Sequence, residues 1–166
     1  LKDLYFNLIT NANEEVLIAS PYFVIDDSIQ QALVTAALAG VRVIVLMAGA
    51  PPDKWVPFWV AHTYYEHLIE AGVEFYQYQK GFYHSKFLVI DSKIATIGTC
   101  NMDMRSFELH YEINAVIYDS AKAETLVRTI TEDISNSRKI GLEECENLGF
   151  IQKLRNSIFR IVAPLL

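Results

Sequence analysis

An apolar run rich in β-branched residues, at positions 41–47, constrains the fold more than any other feature of the chain. Only Arg42 interrupts it, and it is far shorter than the ~20 residues that span a bilayer. A run of this kind predicts a strand that is buried on both faces of a sheet. Gly40, immediately before the run, is typical of a residue that ends a helix. The run therefore indicates a sheet that carries helices on both sides.

Helix and strand patterns alternate around this run. Apolar residues at helical spacing, with capping and stop residues, predict helices over 4–10, 26–39, 58–70, 121–137 and 150–166. Short apolar or alternating segments predict strands over 15–19, 41–47, 73–78, 84–91, 94–98 and 110–118, with loops at 49–57 and 99–107. Separated strands followed by adjacent strands predict an α/β fold, with a mixed β-sheet sandwiched between helices. We find no linker or internal repeat, so we expect a single domain over 1–166.

Charge and cysteine content exclude some classes of protein. Lys and Arg number 14 against 20 Asp and Glu, a net charge of −6, whereas nucleic-acid binders usually have a basic balance. Two cysteines, Cys100 and Cys145, are too few for a disulfide framework and favour a reducing compartment. The chain starts at Leu1, inside a predicted helix and without an initiator Met. We therefore expect a piece of a longer protein, and expect this piece by itself to be soluble.

The residues best suited to chemistry lie close together in the chain. His84 and Lys86 are two residues apart, so on a strand their side chains share a face. An imidazole can attack phosphorus or protonate a leaving oxygen, and an ammonium group stabilises phosphoryl oxygens. This pair predicts phosphate chemistry. Asp91 has the opposite parity, which favours a structural role in an ion pair or a turn.

A histidine nucleophile also needs an acceptor for its second ring nitrogen, and Glu112 is the candidate. The alternating segment 110–118 places its side chain on the same face as His110 and Asn114. A carboxylate in an otherwise apolar sheet must be paired to be tolerated. We therefore expect a Glu112 oxygen within hydrogen-bond reach of a His84 ring nitrogen.

The central segment resembles the HKD motif of the phospholipase D superfamily, whose residues here are His84, Lys86, Asp91, Gly98, Thr99 and Asn101. Glu112 stands 28 residues after the histidine, where the superfamily has the carboxylate that orients it. Further segments, at 20–23, 78–82, 98–107 and 163–166, resemble the C-terminal half of bacterial cardiolipin synthases. The chain departs from that pattern at Cys100, where a small residue is common, and at His110, where Asn is frequent.

The resemblance implies specific roles. The catalytic residues would be His84, Lys86, Asp91 and Glu112. Lys86, Thr99 and Asn101 would bind phosphate, and Arg105 would bind a lipid headgroup. The implied enzyme is a cardiolipin synthase, a phosphatidyltransferase that joins two phosphatidylglycerols, releases glycerol and forms a phosphohistidine. Neither a cofactor nor a metal is implied.

The superfamily builds one active site from two such motifs, and this chain has one. The other histidines, His62, His67 and His110, are not followed by Lys two residues on. The implied partners are therefore the N-terminal half of the same protein, the phospholipid substrate and a membrane surface, with no nucleic acid. The implied location is the bacterial cell membrane, with the catalytic domain facing the cytoplasm.

Two other functions remain open at this stage. One is a homodimeric phosphodiesterase or nuclease that pairs two identical motifs across a two-fold axis, and the acidic balance argues against its nucleic-acid substrate. The other is a non-catalytic module that binds lipid headgroups. The residues leave open whether His84 is the nucleophile or the general acid, and superfamily habit favours the acid.

Three further features have a structural and a functional interpretation. His62 and His67 are five apart, so they do not share a helical face, which favours a surface or packing role over metal binding. Trp55 and Phe58 are candidates to line a lipid entrance. The last predicted helix has an apolar stripe, Ile151, Leu154, Ile158, Ile161 and Leu165, with basic residues off it. A helix packed on its own sheet is the favoured interpretation, and a membrane-surface helix is the alternative.

Overall fold

A computed structural model describes residues 1–161. Its helices are α1 (Lys2–Thr10), α2 (Asp27–Leu38), α3 (Trp55–Glu70), α4 (Met104–Glu108), α5 (Ser120–Ser135), α6 (Leu142–Glu146) and α7 (Phe150–Ile161). Its strands are β1 (Glu15–Ala19), β2 (Phe23–Val24), β3 (Arg42–Ala48), β4 (Glu74–Tyr78), β5 (Phe87–Ile90), β6 (Ile94–Gly98), β7 (Met102–Asp103), β8 (Asn114–Ile117) and β9 (Ser137–Lys139).

The main sheet has seven strands in the order β8-β6-β5-β1-β3-β4-β9. Strands β1, β3 and β4 are parallel, whereas β5, β6, β8 and β9 pair antiparallel with their neighbours. The sheet is therefore mixed, as the sequence predicts. A second sheet contains β2 and β7 only.

Both faces of the sheet are covered. On one face Val16 and Val43 pack in a cluster that includes Ile29 of α2 and Val60 of α3. On the other face the cluster of buried residues comprises Leu17, Ala19, Ile44, Leu46, Ala48, Tyr83, Phe87, Val89, Ala95, and Ala123 and Ile130 of α5. The α/β sandwich expected from the apolar run at 41–47 is confirmed.

The ends of several strands lie together at one end of the sheet, which is called the sheet edge below. The parallel strands β1 and β3 end there, and loops that follow the ends of parallel strands are the usual position of ligand sites. Because Ala19 pairs with Phe87, the antiparallel strand β5 begins at the same edge. Strand β6 ends there and β8 begins there, since Gly98 pairs with Asn114. The residues immediately before β5, after β6 and before β8 therefore converge.

Several predicted boundaries are wrong. Strand β5 begins at Phe87 rather than at 84, and β8 begins at Asn114 rather than at 110. Helix α3 begins at Trp55, three residues earlier than predicted, because a proline at 57 is tolerated in a first helical turn. The strand β9, which starts at the last residue of the predicted helix 121–137, was not predicted.

The last helix is oriented opposite to the favoured expectation. The side chains of Ile151, Leu154, Ile158 and Ile161 are between 49% and 80% exposed, so the stripe faces away from the protein. Leu165, the fifth member of that stripe, and the segment 163–166 lie outside the described residues. Among residues 1–161, no helix combines the length and the apolar character needed to cross a bilayer.

Candidate active site

His84 lies in extended chain just before β5, and its side chain is exposed. Its imidazole stacks on the ring of Phe82, with the ring centroids 5.3 Å apart and the planes 29° from parallel. The expectation that His84 sits on a strand is wrong, but the residue still lies at the sheet edge described above. The imidazole is therefore accessible from solvent.

Lys86 is partly buried one residue before β5, and its Nζ donates to the carbonyl of His84 at 3.1 Å. Burial lowers the pKa of Lys86, and the nearby carboxylates of Glu112, Asp103 and Asp53 act in the opposite direction. A partly desolvated ammonium interacts more strongly with an incoming anion than an exposed one does. Lys86 is therefore suited to stabilise phosphoryl oxygens beside His84.

Thr99 follows β6 and is tied to the segment before β8. Its Oγ1 accepts from the backbone N–H of Ile113 at 3.0 Å, and its own N–H donates to the Ile113 carbonyl at 3.0 Å. Gly98 permits this approach, since a Cβ there would overlap the Ile113 carbonyl oxygen. Thr99 is thus held at the sheet edge beside Gly98, with its side chain exposed.

Asn101 lies between β6 and β7, and its amide Nδ2 donates to Ser106 Oγ at 3.2 Å. Its Oδ1 is buried and has no hydrogen-bond partner within residues 1–161. A buried amide oxygen without a donor is costly. Asn101 therefore has capacity for one more hydrogen bond.

The expected hydrogen bond between Glu112 and His84 is absent from the described part of the chain. The Glu112 Oε1 instead lies 3.5 Å from Nδ1 of His110, and its side chain is only 11% exposed. The reason is that β8 starts at Asn114, so His110 and Glu112 precede the strand and do not follow its alternation. The prediction of this contact is wrong.

Sequence reasoning missed a connected group of three polar side chains. Arg105 Nε donates to Nε2 of His110 at 2.8 Å, while Nδ1 of the same ring faces Glu112. The ring therefore carries its proton on Nδ1 and accepts at Nε2. The signal was present in the sequence, because His110 stands where the resembled family frequently has Asn.

Asp91 is placed in a turn after β5, with a φ of 51°. Its carboxylate accepts the backbone N–H groups of Asn13, Glu14 and Glu15 at 3.0, 2.7 and 3.0 Å. Burial alone would raise the pKa of this carboxyl, but these hydrogen bonds outweigh burial and lower it. Asp91 lies at the opposite end of β5 from His84 and fastens the start of β1.

A cavity of about 470 Å³ adjoins this group. Its lining includes Trp55 and Trp59 of α3, Asn101, Arg105 and His110. Phe58, expected beside Trp55, lines a smaller neighbouring cleft instead. The cavity is therefore an aromatic and cationic space that meets the predicted phosphate site at Asn101.

The two histidines of α3 have different surroundings. His62 is partly buried, and its Nδ1 lies 2.7 Å from the Phe58 carbonyl, while His67 is exposed. Burial lowers the pKa of His62. Across residues 1–161, no group of three or more His, Cys, Asp or Glu side chains has a metal-binding arrangement.

Comparisons with known proteins agree with this architecture. The family profile described as "Cardiolipin synthase, PLD-like domain" matches residues 5–136. The chain is 44% identical over all its 166 residues to a cardiolipin synthase of Geobacillus kaustophilus, and 40% identical to one of Clostridium perfringens. It spans 33% and 35% of the length of these relatives.

Two solved structures share the fold. A phosphatidylserine synthase of Haemophilus influenzae superposes with a TM-score of 0.79 and 18% identity, over 99% of this chain and 44% of that one. Nuc, a phospholipase D family member of Salmonella typhimurium, superposes with a TM-score of 0.70 and 19% identity, over 84% and 90%. At these identities the likeness concerns the fold alone.

Proposed function

Because the chain belongs to the cardiolipin synthase PLD-like domain family, we propose that it supplies one of two half-sites in a phosphatidyltransferase. The reaction joins two phosphatidylglycerols into cardiolipin and releases glycerol. The observation that carries the proposal is the placement of His84, Lys86, Thr99 and Asn101 at one sheet edge, in the order of the HKD motif. The second half-site comes from the N-terminal half of a protein about three times as long, as the relatives are.

The proposed chemistry has two steps. A histidine of the other half attacks the phosphorus of the first phosphatidylglycerol, and the bond from phosphorus to the oxygen of the glycerol headgroup breaks. His84 gives a proton to that leaving oxygen. His84 then removes the proton from a headgroup hydroxyl of the second phosphatidylglycerol. The oxygen of that hydroxyl attacks phosphorus, and the bond from phosphorus to the histidine of the other half breaks. The exposed position of His84 supports this acid and base role, because both oxygens must reach it.

The remaining motif residues stabilise the phosphoryl group in this proposal. Lys86 offers its ammonium beside His84, and Thr99 offers a hydroxyl. Asn101 offers its side-chain amide, whose buried oxygen has no partner within residues 1–161. Asp91 acts through the fold by fastening β1 to the end of β5.

Arg105 binds the headgroup of the lipid in the aromatic cavity. His110 holds its Nε, and within residues 1–161 the two terminal nitrogens of the guanidinium have no hydrogen-bond partner, so they can bind a phosphate. Glu112 is a positioning residue in this proposal, because it fixes the ring proton of His110. The whole chain, 1–166, forms the C-terminal domain, and its enzyme works at the cytoplasmic face of a bacterial cell membrane.

The decisive experiment uses the intact, full-length enzyme and measures glycerol release from phosphatidylglycerol in detergent micelles. His84→Ala and Lys86→Ala should abolish release, because one removes the proton donor and the other removes the ammonium group that stabilises the phosphoryl oxygens. His67→Ala is the matched control, since that histidine is exposed on α3 and away from the motif. Full activity of the His84 variant would contradict the proposal.

Measurements on the isolated chain, with phosphatidylglycerol and with a simple phosphodiester as substrates, separate the two other functions. A homodimeric phosphodiesterase would cleave a simple phosphodiester as the isolated chain and would do so as a dimer. A headgroup-binding module would bind phosphatidylglycerol and turn over neither substrate. The proposed transferase acts only when both halves are present.

A further inference from the structure

Helix α7 presents its apolar side to the outside. At 100° per residue, Ile151, Leu154, Ile158 and Ile161 fall within an arc of about 80°, and all four are exposed. A surface helix of a globular protein normally turns such a stripe to the core. Here the side that faces the protein carries Asn156, which is 3% exposed. The helix is therefore seated with its polar face inwards.

Specific contacts hold this orientation. The guanidinium carbon of Arg155 lies 4.2 Å from the ring centroid of Trp59, and that of Arg160 lies 4.5 Å from the centroid of Tyr64. Phe159 packs on Trp59 with the ring centroids 5.4 Å apart. Cation–π contacts of this kind are favourable at about 0.5–1 kcal/mol each at exposed sites. The contacts with α3 therefore fix α7 in an orientation that leaves four large apolar side chains exposed to solvent.

We propose that this stripe is a membrane-docking surface, seated in the interfacial layer of a phospholipid bilayer. Phe150, which is 80% exposed, continues the stripe at the start of α7. The helix carries three basic residues and no acidic one in a chain of net charge −6. Arg155 and Arg160 stack on α3, so Lys153 is the exposed basic side chain that an anionic lipid surface could meet. The acidic residues of α6 next to it offset part of this charge, so the apolar stripe contributes most of the binding.

Two observations favour lipid over a protein partner. The stripe is one side chain wide and the helix about 18 Å long, which is small against the ~800 Å² that each partner buries in a stable protein interface. The inward side of α7 also lies next to the cavity, because Trp59 contacts Arg155 and Phe159 and lines the cavity with Trp55. Tryptophan is enriched where proteins meet the bilayer interface.

This inference concerns residues outside the proposed active site, and α7 lies beyond the residues that the family profile matches. It is therefore tested without turnover. The full 166-residue chain is sedimented with mixed phosphatidylglycerol and phosphatidylcholine vesicles. The double variant Ile151→Ser, Ile158→Ser is compared with Leu38→Ser, which removes an equally exposed apolar side chain from α2.

We expect the parent chain and Leu38→Ser to bind vesicles alike, and the double variant to bind about tenfold or more weakly, because two inserted apolar side chains are lost. Melting curves check that all three chains are folded, which the exposure of the changed residues favours. Equal binding by the double variant would overturn the proposal, as would absence of binding by the parent chain. A parent chain that ignores vesicles and dimerises through the stripe, as sedimentation velocity would show, would assign the surface to a second copy.

Discussion

Lys86 combines a structural cost with a proposed catalytic role. Burial lowers its pKa, so the folded chain holds the charged form less favourably than the unfolded chain does. We expect Lys86→Met in the full-length enzyme to slow glycerol release by about 10²–10³-fold, the loss typical of one stabilising group. The same variant should melt at the same temperature as the parent or higher, because an apolar side chain of similar length replaces a desolvated charge. Initial rates and melting curves test both halves. A variant that lost stability and activity together would indicate a structural lysine.

Asp91 is the converse case, a motif residue whose contacts are structural. We expect Asp91→Asn to lower the free energy of unfolding by about 1–3 kcal/mol, because three backbone N–H groups lose a charged acceptor. The folded pKa of Asp91 is lowered, so its contribution is complete above the unfolded value of ~3.9 and is lost as the pH falls through the folded value. The stability difference between parent and variant should therefore shrink below about pH 4. Denaturant unfolding at pH 7 and at acid pH measures it, and an equal difference at both would contradict the linkage.

The sequence predicted which residues meet, but not all the contacts between them. The spacing of His84, Thr99 and Asn101 is a property of the chain, and strand pairing then brings them to one edge. The partner of Glu112 depends on where β8 begins, and a shift of four residues in that boundary changes which side chain it faces. Alternation alone does not determine that start. The unusual histidine at 110 was a signal in the sequence, but only the three-dimensional structure showed that Glu112 faces His110 and not His84.

At the scale of elements, the close approach of β6 to the segment before β8 depends on Gly98. An added Cβ would overlap the Ile113 carbonyl oxygen and crowd Asn114. We expect Gly98→Ala to destabilise the chain by about 1–3 kcal/mol, the usual cost of forced overpacking, and to lower the melting temperature by a few degrees. It should also displace Thr99, so activity of the full-length enzyme should fall by more than stability explains.

Gly141 provides the matched control for this substitution. Its φ is −95°, and a Cβ there would have no atom within 4 Å. Gly141 is the N-cap residue of α6, where alanine is less favourable than glycine, so Gly141→Ala should lower the melting temperature slightly and by less than Gly98→Ala does. If both variants melted alike, the crowding argument at Gly98 would be wrong.

Helices and strands whose own sequence carries a helix or strand pattern were predictable. Elements that depend on contact with a neighbouring element were not. Strands β1 and β3 are apolar runs, and α2 has an aspartate cap at Asp26 and a glycine beyond its end. Strand β9 is Ser-Arg-Lys, which has no strand pattern, and it exists because the edge of β4 pairs with it. The same reason applies to the orientation of α7. Its amphipathic pattern predicts a helix, but the aromatic side chains of α3 decide which face turns inwards.

At the scale of the whole molecule, exposed apolar residues cluster beside the motif. Tyr111 and Ile113, which lead into β8, are fully and 76% exposed respectively, and Ile97 of β6 is 41% exposed. Large apolar side chains that are exposed next to the motif are candidates for contact with a protein partner. In the proposed two-motif enzyme, we expect the N-terminal half to cover these side chains, which would bring its histidine to His84.

The last prediction follows from that arrangement. The isolated chain should fold and show no detectable glycerol release, because one histidine cannot serve as both nucleophile and proton donor in the same step. Adding a separately produced N-terminal half should restore release. Ile113→Asp should weaken the restored activity at least tenfold by burying a charge at the interface, while leaving the melting curve of the isolated chain unchanged. Leu38→Asp, equally exposed but on α2, should have no effect on restoration. Turnover by the isolated chain as a proven monomer would contradict the half-site itself, whereas restoration untouched by Ile113→Asp would contradict only the position of the interface.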